Sequence, residues 1–234
     1  MKPILRYPSV AAVAVTLGVA GSAGAVSYTD MLEWSNGDLT AQDGWADAGT
    51  TFQYEVDDTT NPGFWTYRYS LSVAQKAVSH MIIEVSDSFT VDNIKTGTTA
   101  GGQLDTYTPS GAGNPNPGMP DDLYGIKWDA SGDPLDFGVT IVTDRAPIWG
   151  DFFAKDGFDN GSGVFASVWN SGFTNPDSDP PIDLPNLVSN HILVPDTVGG
   201  GGPPTGTPVP EPGTVVLMGF GLVGLGLVGW RRRA

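Results

Sequence analysis

Short runs in which apolar and polar residues alternate, separated by turn residues, fill the middle of the chain. Residues 51–56 (TFQYEV), 64–73 (FWTYRYSLSV), 80–86 (HMIIEVS), 89–94 (FTVDNI) and 123–128 (LYGIKW) are such runs. So are 137–143 (FGVTIVT), 149–154 (WGDFFA), 164–169 (VFASVW) and 191–194. All are rich in β-branched and aromatic side chains, which suit a pleated, half-buried surface. Within 64–73, Trp65, Tyr67, Tyr69 and Leu71 fall on one face and Thr66, Arg68 and Ser70 on the other, so the strand presents an aromatic face. Asn61-Pro62-Gly63, Ser131-Gly132-Asp133-Pro134, Asp156-Gly157 and the segment 159–163 supply turns between the runs. No amphipathic helix of useful length is evident, 71–77 being the one weak candidate. Eight or nine short strands with regular turns predict an all-β fold, a single antiparallel β-sandwich of jelly-roll or Ig-like type over residues 26–194. Residues 96–122, crowded with Gly, Pro, Asn and Thr, read as one long surface loop.

The two ends of the chain follow other rules. Residues 1–8 carry Lys2 and Arg6 and no acid, 9–20 (SVAAVAVTLGVA) are apolar, and small residues run on to Ala25. Ala23-Gly24-Ala25 has the small-x-small form that signal peptidase reads. Residues 1–25 are therefore expected to be a cleaved signal peptide, and the mature chain to begin at Val26. At the other end, 195–209 is a Gly/Pro/Thr linker with no pattern that could bury a face. Pro210-Glu211-Pro212 follows, then the uncharged segment 213–230 (GTVVLMGFGLVGLGLVGW), then Arg231, Arg232 and Arg233. As a helix, 213–230 would extend roughly 27 Å, enough to cross a hydrocarbon core. Trp230 falls where an interfacial aromatic belongs, and the three arginines act as a stop-transfer cluster that stays cytoplasmic. The six glycines of the segment make it a poor helix for a permanent anchor.

Charge sharpens this division. The whole chain has a formal charge of −15. Between residues 26 and 209 there are 25 acids against six bases, so the exported body stands at −19. Such a surface repels nucleic acid and anionic lipid and attracts divalent cations. The chain has no cysteine, which removes disulfides, thiolate metal sites and cysteine catalysis. A body of this length can bury a full core without staples.

The order Val209-Pro210-Glu211-Pro212, Gly-rich membrane segment and terminal arginines resembles the PEP-CTERM sorting tails. The resemblance covers about the last 25 residues. It implies processing by an exosortase, a membrane-embedded cysteine protease or transpeptidase, in a Gram-negative bacterium that makes exopolysaccharide. The body segments SHMIIEVS, GIKWD, PIWGDFFAKDG and VWNSGF also look like those of uncharacterised PEP-CTERM proteins, a resemblance that supplies no activity.

Candidate chemistry in the body is sparse. Asp156, Asp159 and Asn160 lie in a Gly-rich loop where oxygen ligands could gather on calcium, and Asp177-Ser178-Asp179 is a second acidic cluster. Neither has EF-hand spacing, and turn chemistry alone explains Asp and Gly there. Trp128, Trp149 and Trp169, each near an Asp or Asn, are the positions where sugar could stack if the rings face outward, although tryptophan in a strand is usually core. His80 and His191, the two histidines, have no metal-pair spacing, and no serine sits in a nucleophile-elbow setting. The expectation is a non-enzymatic exported surface or matrix protein without a required cofactor. Its partners would be signal peptidase, exosortase, the inner membrane before processing, and exopolysaccharide. A secreted carbohydrate-active hydrolase and a calcium-stabilised S-layer-like component are the alternatives.

Overall fold

The computed structural model describes residues 25–110, 116–158, 165–174, 179–180 and 190–195. The signal segment, the loop residues Asp159, Asn160 and Asp177, and everything from the linker through the arginine cluster lie outside the described residues. Among the described residues twelve strands run in chain order: β1 (Ser27–Glu33), β2 (Leu39–Gln42), β3 (Thr51–Asp57), β4 (Trp65–Ser72), β5 (His80–Glu84) and β6 (Gln103–Tyr107). They continue with β7 (Leu123–Asp129), β8 (Asp136–Thr143), β9 (Pro147–Gly150), β10 (Phe152–Phe158), β11 (Phe165–Asn170) and β12 (Ile192–Pro195). Their pairing is antiparallel throughout. One sheet has the order β1-β3-β4-β8, a second the order β2-β11-β10-β5-β7-β6, and β12 pairs with β9. The described part is all-β, as the patterning predicts. The four-plus-six division follows neither the ABED/CFG arrangement of Ig domains nor an eight-stranded jelly roll.

Alternation on β3, β4 and β5 explains why the two large sheets pack face to face. Phe52, Tyr54 and Val56 of β3 and Tyr67, Tyr69 and Leu71 of β4 point into one core. Met81 and Ile83, Ile126 and Trp128, and Phe152 and Ala154 meet them from the six-stranded sheet. Phe52 stacks on Phe152 with ring centroids 3.8 Å apart, one direct bridge between the layers. Gly125 in β7 is required by the pairing, because a Cβ there would run into the Ile83 carbonyl of β5.

The outer face of the six-stranded sheet carries a second, smaller core. Ile82, Phe153 and Trp169 project away from the first core and are covered by Tyr107, Met119, Leu123 and Phe173. Phe153 and Trp169 stack at 6.3 Å. The expected loop over 96–122 is therefore more structured than its composition indicates. Residues 95–99 hydrogen-bond along the free side of β8, covering that edge, and 103–107 form β6. Residues 89–94, expected as a strand, instead form a single 3-10 turn at Val91–Asn93. Thr90 and Asn93 close it as a reciprocal capping box. The weak helical candidate at 71–77 is the end of β4 and a turn.

Candidate metal centre

The run 149–154 is not one strand. It breaks at Asp151, which lies between β9 and β10 at zero exposure. A buried carboxylate at a strand junction requires partners, and here Asn170 and His191 supply them while Glu84 holds the backbone amide. The Asp151 amide donates to Glu84 Oε2 at 2.6 Å. Asn170, at the end of β11, donates from Nδ2 to Asp151 Oδ1 and to the Asn190 carbonyl. Its Oδ1 accepts from the Phe152 amide at 2.9 Å, so its orientation is fixed from both sides of the amide. His191, immediately before β12, places Nδ1 3.2 Å from Asp151 Oδ1 and 3.5 Å from Asp179 Oδ1. The imidazole is buried, whereas Asp179 reaches in from the surface. Asp151 Oδ2 is buried and has no hydrogen-bond partner among the described residues.

Two glycines make the approach possible. A Cβ on Gly172 would collide with the Nε2–Cε1 edge of His191 and with the Asn190 carbonyl. A Cβ on Gly150 would lie 2.6 Å from Glu84 Oε2 and as close to Val194. Packing against Gly172 therefore leaves His191 with Nδ1 turned toward the carboxylates. Ligand atoms of Asp151, Asp179 and His191 all lie within 4.8 Å of one another. Glu84 and Asp179 also line an open cleft of about 480 Å³, together with Asp87, Ser88, Ile148 and Val194.

The sequence-predicted sites fare differently. Asp179, from the second acidic cluster, joins this centre. Asp156 sits half-buried near the end of β10, while its expected partners Asp159 and Asn160 lie outside the described residues. The tryptophans are a correction. Trp128 and Trp149 are 2% and 1% exposed in the main core, and Trp169 is 8% exposed in the outer one. Trp128 donates its indole N–H to the Thr99 carbonyl at 3.0 Å. Buried in this way, these rings offer no stacking platform for sugar: Trp128 and Trp149 pack into the main core, and Trp169, on the opposite face of its sheet, packs into the outer one. Sequence reasoning missed Asp151 and His191 as partners because 40 residues separate them. The signal present was an acid flanked by Trp149-Gly150 and Phe152-Phe153, a charge inside an otherwise apolar run.

Fold and cluster together define an all-β body of antiparallel sheets with a buried carboxylate–imidazole centre beside its last described strand. The family model for the PEP-CTERM protein-sorting motif matches residues 208–233. The chain thus carries a PEP-CTERM sorting motif, and that motif implies exosortase processing, export and sorting toward the cell surface. Searches of characterised proteins and of solved structures found no match to the chain. Among the described residues no helix is long and apolar enough to cross a membrane; the segment 213–230 lies outside them.

Proposed function

We propose that this chain is an exported structural protein of the cell surface or extracellular matrix, parked in the inner membrane and then freed or re-attached by an exosortase. The single observation that carries the reading is the sorting motif at 208–233. It follows a linker and ends on three arginines, in a chain whose first 25 residues have signal-peptide order. In this reading 213–230 is a temporary transmembrane helix whose glycines favour unwinding and extraction. Cleavage falls at Pro210–Pro212. The body then serves as a non-catalytic module, its acidic surface keeping it soluble and drawing cations and hydrated polysaccharide by charge and hydrogen bonding. Burial of the large aromatic rings supports a structural role over sugar recognition by stacking.

Intact mass with sequencing of both termini tests this on protein recovered from the host's surface and culture fluid. The expected product runs from Val26 to the neighbourhood of Val209–Pro212, with added mass at the new C-terminus if a lipid or polysaccharide is attached. Persistence of Arg231–Arg233 in inner-membrane protein would overturn the sorting reading.

A further inference from the structure

We propose that Asp151, Asp179 and His191 bind a divalent transition-metal ion, of which zinc is the type case, and that this ion clamps β12 to the strand junction between β9 and β10. The argument starts from the donor set. Two carboxylates and an imidazole nitrogen suit zinc and its neighbours, whereas calcium takes six to eight oxygens and has little use for imidazole. Spacing agrees. Tetrahedral ligands about 2.0–2.1 Å from zinc stand roughly 3.3 Å apart, and His191 Nδ1 lies 3.2 and 3.5 Å from the two aspartate oxygens.

A purely hydrogen-bonded explanation accounts for only part of the centre. If His191 Nδ1 carries a proton it satisfies Asp151 Oδ1, which Asn170 already serves. Among the described residues, Oδ2 of the same fully buried carboxylate is still without a donor, a costly state for an anion in low dielectric. An ion beside this carboxylate removes that cost. Asn170 then acts as the outer partner that orients the ligand, a role ligating carboxylates ordinarily require. The Gly172 contact fixes the imidazole so that Nδ1 is the ligating atom.

The position has a consequence for the fold. His191 leads directly into Ile192–Val194, all buried, and Tyr69 of the opposite sheet donates to the Leu193 carbonyl at 2.8 Å. A metal bond at His191 therefore fastens the start of the strand that leads on toward the linker and sorting motif.

The test uses the untagged full-length chain in detergent micelles, stripped with EDTA and titrated with zinc, with calcium in parallel. Binding is read by calorimetry and melting temperature. We expect near-stoichiometric zinc binding, a raised melting temperature, and at least tenfold weaker affinity in D179N and H191Q. D179N changes a surface-reaching side chain and keeps the result interpretable if H191Q folds poorly. A folded wild-type chain that ignores zinc would overturn the proposal. So would equal zinc affinity in wild type and D179N, which would place binding elsewhere, or a calcium response matching that of zinc, which would refute the metal class.

Discussion

His80 should make stability fall as the pH drops through the range in which an ordinary histidine gains its proton. The residue opens β5 on the outer face of the six-stranded sheet and is 7% exposed. Across the strands it stands opposite Asp129 on β7 and Lys155 on β10. Its Nε2 lies 2.9 Å from Asn116 Oδ1, so the neutral ring donates to the loop that covers the outer core. Burial, then the positive charge of Lys155, push its pKa down to about 4 from an ordinary 6.5; the Asn116 bond and Asp129 oppose the shift, and Lys127 adds to it. The folded protein therefore keeps His80 neutral between these values while the unfolded chain protonates it. In that window the unfolded state binds more protons, so stability rises with pH and is lost on acidification. Integrating the binding difference gives a loss of roughly 2 kcal/mol between pH 7 and pH 5.

Urea unfolding followed by tryptophan fluorescence at several pH values, for wild type and H80Q, measures this. Glutamine can still donate to Asn116 but cannot titrate. Contributions from all other titratable groups are common to both proteins and cancel in the difference. Wild type is expected to lose about 2 kcal/mol more than H80Q over the interval. Parallel curves would refute the reasoning, because they would mean that His80 protonates equally in both states.

Two further outcomes follow from the same structure. Phe52→Ala removes one half of the inter-sheet stack with Phe152 and should cost about 3–5 kcal/mol, read as a lower urea midpoint. Asp57 is buried, which by itself raises its pKa, but the Thr60 amide, Arg68, the Thr59 amide and the Thr60 hydroxyl outweigh burial and hold the carboxyl well below its usual range. Its contribution is present above the ordinary carboxylate pKa and disappears as pH falls below it. D57N should therefore cost about 2–4 kcal/mol at neutral pH and flatten the acid limb of the stability profile; an unchanged acid limb would contradict this assignment.

What the sequence revealed, and what it hid, follows from where each strand sits. The strands legible from patterning, β3, β4, β5, β7, β8, β10 and β11, bury at least one face against the main core. The three that escaped notice, β1, β2 and β6, are all edge strands. β1 (SYTDMLE) fully buries only Leu32, β2 (LTAQ) only Leu39, and β6 (QLDTY) only Tyr107. Edges carry polar residues because a long apolar edge would recruit other chains, so their periodicity is weak for the same reason that they keep the protein soluble. The opposite error arose at 89–94. Phe89 is fully buried and Val91 is 67% exposed, so two apolar residues that strand alternation would put on one face do not share it, and Thr90 with Asn93 marks a cap rather than a strand. The candidate site was half legible. Acids were visible one by one, but the pairing that sets Asp151 beside His191 depends on β9 meeting β12, a contact no local pattern encodes.

That pairing also separates the fate of the tail from the stability of the body. Ile192, Leu193 and Val194 are buried as deeply as the centre of the main core, and the Pro195 carbonyl accepts from the Ser86 amide at 3.4 Å. The sorting motif begins only after this strand, at residue 208. Removal of the motif therefore takes away none of the described core contacts, whereas loss of 191–195 would strip Tyr69 of its Leu193 acceptor and Asp151 of His191. A chain that must be cut near one end without unfolding needs its final strand locked inside the core and its cut site beyond it. Here the lock is the buried four-residue strand β12, with His191 immediately before it, and under the proposed sorting route the ion would sit where a pull from the tail first meets the folded body.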